Sequence, residues 1–285
     1  MKAWFPLSCV ALAMSAHGAC LTDAQATALV EAMMARQPAP NPEELSEADA
    51  ACSRAKVTAQ LGQRMGRLVG YKAGLTNPAV QKRFNYDKPV WGKLYEKMLL
   101  QDGAEVEAAF GARPLYEADL LVRVRSEAIN QAKTPQDVLD AIDQVIPFIE
   151  LPDLVVQAPP RLNGTAISAI NVGARLGVLG KPIPVPAFRG ERHALLDALA
   201  RMEVRLTDAS GTVLGGGKGS DVLEHPLNAV VWLAEALKKE GLALKPGELV
   251  SLGSFSALLP TRAGLQVTAT YHGLPGAAPV AVRFK

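Results

Sequence analysis

From Leu68 onward the sequence changes character, because short apolar runs begin to alternate with turns that contain glycine or proline. This alternation of apolar runs and turn residues is typical of strands joined by tight turns. The runs that predict strands are 104–109, 115–124, 203–207 with 212–214 as a hairpin, 248–252, 265–271 and 280–284. Apolar residues at helical spacing predict helices over 134–145 and 226–239. The pattern predicts an α+β fold built on a mixed sheet or open barrel.

The residues before this region predict two helices, over 22–37 and 43–65, separated by Pro38-Ala-Pro-Asn-Pro42. Proline cannot continue a helix interior, so the break is well defined. We interpret 20–66 as an N-terminal helical segment and 67–285 as the main domain. The helical segment is read as an appendage and not as a separate domain.

Residues 1–19 have the pattern of a secretory signal peptide. Lys2 supplies the positive start, an apolar run follows, and small residues occupy the end of the segment. Cleavage after Gly18 or Ala19 predicts a protein exported to the periplasm, and a buried first helix is the alternative. Nothing later in the sequence is apolar over a length that could span a bilayer.

Composition excludes some partners and suggests one crosslink. The formal net charge is +2 and no basic run is interleaved with aromatic residues, so a nucleic-acid partner is not expected. Of three cysteines, Cys9 lies in the signal, which leaves Cys20 and Cys52. An oxidising compartment favours a disulfide between them. Lipidation of Cys20 is the alternative, but His17 stands where that signal prefers an aliphatic residue.

The segment Tyr116-Glu-Ala-Asp-Leu-Leu-Val122 carries two acids at alternate positions. In a strand Glu117 and Asp119 point to one face, since side chains alternate with period two. Two adjacent carboxylates repel when buried, and a hard divalent ion such as Mg²⁺ removes that cost. The alternative is a solvated strand face that continues through Arg123 and Arg125.

Further candidates lie at the ends of apolar runs. Glu150 closes one such run and is either an exposed strand end or a third carboxylate at a pocket. Lys72 stands between glycines that permit close approach of a ligand. Asn171 is an amide in an apolar run, for which a structural role is the commoner one. Ser254 follows Gly253 after a predicted strand, where its hydroxyl could face a ligand.

These segments, in this order, resemble one enzyme family. The resemblance rests on the segments Gly70-Tyr-Lys-Ala-Gly-Leu-Thr76, Pro89-Val-Trp-Gly-Lys-Leu94, Glu117-Ala-Asp119, Phe148-Ile-Glu-Leu-Pro-Asp153, His225-Pro-Leu-Asn-Ala-Val-Val-Trp-Leu233 and Leu252-Gly-Ser254. From about Ala24 onward the chain resembles the 2-keto-4-pentenoate hydratase and 2-oxo-3-hexenedioate (4-oxalocrotonate) decarboxylase group of the fumarylacetoacetate hydrolase superfamily. The resemblance implies a mixed β-roll with surrounding helices, a Mg²⁺ or Mn²⁺ ion, a small 2-oxo acid as substrate, and homo-oligomers.

Carried over by position, the resemblance implies that Glu117, Asp119 and Glu150 bind the metal. It also implies that Lys72 and Ser254 contact substrate, and that Asn171 is the amide kept from a polar block of the family. Asp119 stands where the family usually has glutamate, which shortens that ligand by one methylene.

Two departures bear on the reaction. Val90 stands where hydratases of the group have an aspartate that can move a proton, whereas decarboxylases tend to have an aliphatic residue there. The family's Asp-Asn-x-Ser block is Ile170-Asn171-Val172-Gly173 here, which makes a polar pocket wall apolar.

The leading hypothesis is therefore a divalent-metal-dependent lyase on a small 2-oxo acid, of the decarboxylase type. The alternatives are a 2-keto-4-pentenoate hydratase, an acylpyruvate hydrolase, and a non-catalytic exported ligand-binding protein on the same fold.

Overall fold

A computed structural model describes residues 19–285. Almost all of the predicted signal peptide, residues 1–18, lies outside the described residues. The helices are α1 Asp23–Ala35, α2 Glu47–Met65, α3 Pro78–Arg83, α4 Pro135–Ala141, α5 Gly164–Ala169, α6 Arg189–Arg201 and α7 Asn228–Lys239. Within the described part of the chain, none of the helices has the length and apolar character needed to cross a membrane.

Fourteen strands are described in the same region. They are β1 Leu68–Gly74, β2 Val90–Tyr95, β3 Leu99–Gln101, β4 Ala104–Val106, β5 Leu115–Val124, β6 Ile142–Leu151, β7 Leu176–Leu179, β8 Ile183–Pro184, β9 Glu203–Thr207, β10 Val213–Lys218, β11 Leu249–Ser251, β12 Leu259–Pro260, β13 Gln266–His272 and β14 Val280–Phe284.

The strands form two mixed sheets. The larger has the order β2-β1-β11-β5-β6-β7-β3, with β12 on β5 and β8 on β6; the smaller has the order β10-β9-β13-β14-β4. The main hydrophobic core holds residues of both sheets and of α4, α6 and α7. A second core lies on the other face of β1, β2, β5 and β6, beneath α1, α2 and α5. The expected α+β fold with a mixed, curled sheet and surrounding helices is confirmed.

Strand β5 follows the predicted alternation. Tyr116, Ala118, Leu120, Val122 and Val124 all belong to the main core. Glu117, Asp119 and Leu121 therefore lie on the opposite face, where Leu121 belongs to the second core. This strand places the two candidate acids on the side that the N-terminal helices cover.

The helix predicted over 134–145 ends four residues early. Thr134 caps α4 and Pro135 occupies its first turn, positions that suit both residue types. At Ile142, however, the backbone becomes extended and β6 begins. Pairing along nearly the whole of β5, from Val124 with Ile142 to Glu117 with Glu150, outweighs the helical spacing of a few apolar residues.

The glycine-rich stretch after the predicted hairpin belongs to a strand. Gly215, Gly216 and Gly217 continue β10 and pair with β9. A Cβ atom on Gly216 or Gly217 would approach a backbone carbonyl oxygen to 2.2 Å. These glycines therefore allow close backbone packing inside the sheet, and they do not form a ligand-binding loop.

The N-terminal segment is attached by a crosslink and by a buried cation. Cys20 and Cys52 form a disulfide with Cα atoms 5.7 Å apart, so the predicted pairing is present. On α2, the buried guanidinium of Arg54 lies 3.7 Å from the ring centroid of Trp91 and donates to the Ser168 hydroxyl on α5. The segment is thus packed against the elements that carry the site described below.

The start of α7 depends on a neutral histidine. The Nδ1 atom of His225 accepts the amide proton of Leu227 at 3.1 Å, which leaves Nε2 to donate to the Leu196 carbonyl, also at 3.1 Å. Burial lowers the pKa of His225 below its usual 6.5. His225 therefore stabilises the start of α7 in its neutral form.

Acid should weaken this arrangement. The folded-state pKa of His225 lies below the unfolded value, so its contribution to stability is complete above pH 6.5 and is lost as the pH falls from 6.5 through the lowered pKa. We expect the melting temperature to fall across that window less steeply in His225→Asn than in the wild type. The exposed His193 provides the control, since His193→Asn should keep the wild-type slope. An NMR titration that gave His225 a pKa of 6.5 or higher would contradict this prediction.

A buried carboxylate and lysine site

The site lies where four strands of the larger sheet meet. Glu117 of β5 is directly opposite Glu150 of β6 in the ladder. Lys72 of β1 is opposite Ser251 of β11, and Ser251 is in turn opposite Leu121 of β5. Lysine and the carboxyl groups are therefore brought together by strand register and not by proximity in sequence.

The lysine is enclosed. Lys72 is 2% exposed, and its ammonium group forms an ion pair with Glu150. The same Nζ atom donates to the Val172 carbonyl at 3.1 Å. One cation is thus held between a carboxylate of β6 and a main-chain oxygen of the loop after α5.

Asp119 is the most deeply placed acid and is fully hydrogen-bonded. Its Oδ1 accepts the amide protons of Leu120 at 2.6 Å and Gly253 at 3.0 Å, and its Oδ2 accepts the Ser251 hydroxyl. It does not line the pocket that Glu117 and Glu150 line. Asp119 therefore binds β5 to β11 in this arrangement.

The site contains three buried acids, Glu117, Asp119 and Glu150, but only one buried lysine, and this imbalance of charge raises the pKa of two of the acids. Burial, followed by the charge of Glu150, holds the pKa values of Glu117 and Asp119 well above their usual range. The alternative of a solvated strand face is excluded, because Glu117 is 8% exposed and Asp119 is completely buried. An unneutralised cluster of this kind favours a bound cation.

The residues fit a divalent ion by charge and by donor chemistry. Carboxylate oxygens are the ligands that Mg²⁺ and Mn²⁺ prefer, and the cluster has an excess of negative charge. The oxygens themselves are not gathered at metal-ligand spacing: within residues 19–285 no group of three or more His, Cys, Asp or Glu side chains could hold a metal as arranged. Their positions are those of a cluster that Lys72 partly neutralises.

A pocket of about 50 Å³ opens above the cluster. Its polar floor contains Lys72, Glu117, Glu150, Thr76 and Ser254. The remaining wall is largely apolar and includes Leu75, Val80, Phe84, Leu154, Ile167, Val172 and Leu258. The lining thus combines this polar set, called the charged end below, with the apolar set, called the apolar wall.

Two of the candidate residues, Asn171 and Ser254, form hydrogen bonds within the protein. Asn171 is completely buried, accepts the Lys93 amide proton at 2.7 Å and donates to the Lys93 carbonyl at 3.0 Å. It does not line the pocket, so the structure does not bring it to the place expected of a substrate contact. Ser254 does line the pocket, but its hydroxyl donates to the Ser256 carbonyl at 2.6 Å.

The loop beside Lys72 is strained. Asn171, Val172 and Gly173 have φ values of 57°, 55° and 63°, a left-handed run that asparagine and glycine tolerate but that is unfavourable for the β-branched valine. The two hydrogen bonds of Asn171 hold this run, which directs the Val172 carbonyl toward Lys72. Asn171 therefore positions the pocket wall.

The structure shows where the residues that depart from the family's pattern lie relative to the pocket. Val90 is buried in β2 opposite Gly74 and does not line the pocket. Val172, at the variable position of the Ile170–Gly173 block, forms part of the apolar wall. Nothing in the sequence predicted the contacts of Ser251 or the place of Thr76 in the pocket, although Thr76 ends one of the motifs that resemble the family.

Comparison with known proteins places this site in a family. The chain is 32% identical over 215 residues to a 2-hydroxyhexa-2,4-dienoate hydratase from Comamonas testosteroni, covering 73% of this chain and 76% of that protein. It is 31% identical over 258 residues to a 2-keto-4-pentenoate hydratase from Paraburkholderia phymatum, covering 88% and 94%. The chain belongs to the 2-keto-4-pentenoate hydratase and 4-oxalocrotonate decarboxylase group of the fumarylacetoacetate hydrolase superfamily. No protein-family model matches the sequence.

Solved structures of this superfamily support the same assignment. The 4-oxalocrotonate decarboxylase from Pseudomonas putida G7, complexed with magnesium and adipate, superposes with a TM-score of 0.79 at 25% identity and covers 94% of this chain and all of that one. A fumarylpyruvate hydrolase from Pseudomonas aeruginosa with Mn²⁺ and pyruvate has a TM-score of 0.56 at 11% identity, covers 76% and 89%, and shares the fold. The chain is thus a member of a family of lyase-type enzymes.

Proposed function

We propose that the protein is a divalent-metal-dependent lyase that releases CO₂ from a small 2-oxo acid, of the 2-oxo-3-hexenedioate type. The observation that carries the proposal is the pocket lined by the buried Lys72, Glu117 and Glu150 together with an apolar wall, with Asp119 buried on the same face of β5 as Glu117. The structural neighbour with magnesium and adipate supports both the metal and a dicarboxylic ligand.

Glu117, Asp119 and Glu150 would hold Mg²⁺ or Mn²⁺. A bound divalent ion supplies Lewis acidity, which polarises a carbonyl oxygen. Lys72 contributes a fixed positive charge at the same end, suited to the substrate's carboxylate and 2-oxo oxygens. The Val172 carbonyl keeps the ammonium group in place.

The apolar wall supports loss of CO₂. A carboxylate removed from water against Leu154, Ile167 and Val172 loses hydration, whereas the neutral CO₂ that leaves does not need it. The titratable side chains of the described pocket lining are Lys72, Glu117 and Glu150, all at the charged end. Addition of water would use a further side chain that carries a proton, and the residues of the apolar wall have none.

Hydration of a 2-keto-4-pentenoate-type substrate is the second candidate. It is favoured by the curated relatives, which are hydratases at 32% and 31% identity. It is opposed by Val90, which cannot move a proton.

One assay separates the two reactions. The purified protein with Mg²⁺ is given 2-oxo-3-hexenedioate while CO₂ is measured, and separately 2-hydroxypenta-2,4-dienoate while loss of the diene absorbance is followed. We expect CO₂ release that stops on chelation of the metal and returns when Mg²⁺ is restored. Diene consumption without CO₂ release would favour the hydratase, and metal-independent turnover would contradict the role given to the acids.

We also propose that the protein is exported after cleavage at residue 18 or 19, that 20–66 and 67–285 form the appendage and the catalytic domain, and that the chain forms homo-oligomers. The Cys20–Cys52 disulfide supports an oxidising compartment. An intact mass of the periplasmic protein that retained residues 1–18 would contradict export by this signal.

A further inference from the structure

Thr76 holds a buried hydroxyl that has no hydrogen-bond partner. The residue is 2% exposed and lines the pocket beside Glu117 and Ser254. Its Oγ1 makes no hydrogen bond within the described residues. Buried hydroxyl groups are nearly always paired, since an unpaired one loses its bond to water without replacement.

The backbone on both sides holds this hydroxyl in place. Leu75 has φ = 54°, an unfavourable value for leucine, and the Thr76 carbonyl accepts the Leu223 amide proton at 3.1 Å. Gly253 has φ = 99°, and a Cβ atom there would lie 2.0 Å from Oγ1 of Thr76. A glycine and a strained leucine therefore accommodate a hydroxyl group that makes no hydrogen bond within the described residues.

The other hydroxyl group of the pocket is already in use, because Ser254 donates to the Ser256 carbonyl. Lys72 already donates to Glu150 and to the Val172 carbonyl. Of the two hydroxyl groups of the described lining, Thr76 is the one with a free proton. The only other unpaired buried side-chain atom within residues 19–285 is Nε of Arg175, which is outside this pocket.

We propose that Thr76 is a substrate-binding residue whose hydroxyl donates a hydrogen bond to an oxygen of the 2-oxo acid head. The inference rests on the proposed function, because it assumes that this pocket receives such an acid. The hydroxyl breaks no hydrogen bond when it turns about its Cα–Cβ bond toward a ligand, so the new bond is a net gain. Thr76 thereby adds a neutral donor to the charged end.

The test uses oxalate, a mimic of the chelating 2-oxo acid head, in calorimetric titrations of the Mg²⁺-loaded protein. Thr76→Val keeps the shape and removes the hydroxyl, and we expect about tenfold weaker oxalate binding, as for loss of a hydrogen bond to a charged group. Thr76→Ser should bind within about threefold of the wild type. Thr58→Val is the matched control, since Thr58 is equally buried but lies in α2 and donates to Ala55.

A thermal-melting readout separates binding from structure. Thr76→Val should melt no lower than the wild type without metal or oxalate, because no hydrogen bond is lost, whereas Thr58→Val loses one. Wild-type oxalate affinity in Thr76→Val would overturn the inference and leave the proposed function standing. A melting temperature several degrees lower in Thr76→Val would overturn it as well, by showing that the hydroxyl has an internal partner. Absence of metal-dependent oxalate binding in the wild type would instead refute the proposed function, and this inference with it.

Discussion

Replacing Glu117 by glutamine should stabilise the metal-free protein by about 1–2 kcal/mol while it lowers turnover at least about 100-fold. The stabilisation follows from the raised pKa of Glu117, which reflects burial and the neighbouring charge of Glu150. The loss of turnover follows because a carboxylate that would hold the metal becomes a weak neutral ligand. The measurements are urea denaturation in the presence of a chelator and initial rates with saturating Mg²⁺.

The pH dependence of this effect has a definite sign. The folded-state pKa of Glu117 lies above the usual 4.5, so the folded metal-free protein binds more protons than the unfolded chain. Its stability should therefore fall as the pH rises from about 4.5 toward the raised pKa, and Glu117→Gln should flatten that slope. Equal stability of the variant and the wild type at neutral pH would contradict the electrostatic account of the cluster.

Lys72→Met provides the opposite change in the same site. It removes the ion-pair partner of the buried Glu150, which should cost about 3–5 kcal/mol in the metal-free protein. Opposite signs for the two variants would show that charge balance, and not loss of packing, determines their stability. Destabilisation by both would instead attribute the effect to disturbed packing.

Removing the disulfide should have the largest effect on stability outside the site. The bond joins residues 32 positions apart, and the chain-entropy relation gives a loss of about 3–4 kcal/mol for a loop of this length. We expect that decrease in the free energy of unfolding for the double variant Cys20→Ser, Cys52→Ser. Reducing agent should lower the stability of the wild type by the same amount and leave the double variant unchanged.

A small effect would have a specific meaning. If the double variant lost less than about 1 kcal/mol, the N-terminal segment would unfold separately from the sheets. That outcome would conflict with the contacts of Arg54, which joins α2 to Trp91 of β2 and to Ser168 of α5.

The elements that the sequence predicted well are those whose local pattern agrees with their tertiary setting. The alternation in β5 predicted both its limits and its two faces, because one face lies in the main core. The helix over 134–145 was wrong beyond Ala141, where pairing of Ile142 with Val124 determines the conformation. Local spacing carries no information about such a partner.

The sequence predicted which residues form the candidate site, but it did not predict the contacts that those residues make. Glu117, Glu150 and Lys72 do meet at one pocket, but their adjacency depends on strand register that one sequence does not reveal. The hydrogen bonds of Asn171 to Lys93 and the unpaired hydroxyl of Thr76 are properties of backbone position. A motif indicates that such residues matter without indicating how they act.

The antiparallel pairing of β11 with β5 also determines when this site can exist during synthesis. Glu117 and Glu150 become neighbours as soon as β5 and β6 pair, but Asp119 is enclosed only after Ser251 and Gly253 have reached it. A nascent chain that stops short of β11 therefore keeps its repelling carboxylates hydrated. Contacts between such distant parts of a chain form slowly and late. Mutations that relieve the repulsion should then slow unfolding more than they speed folding.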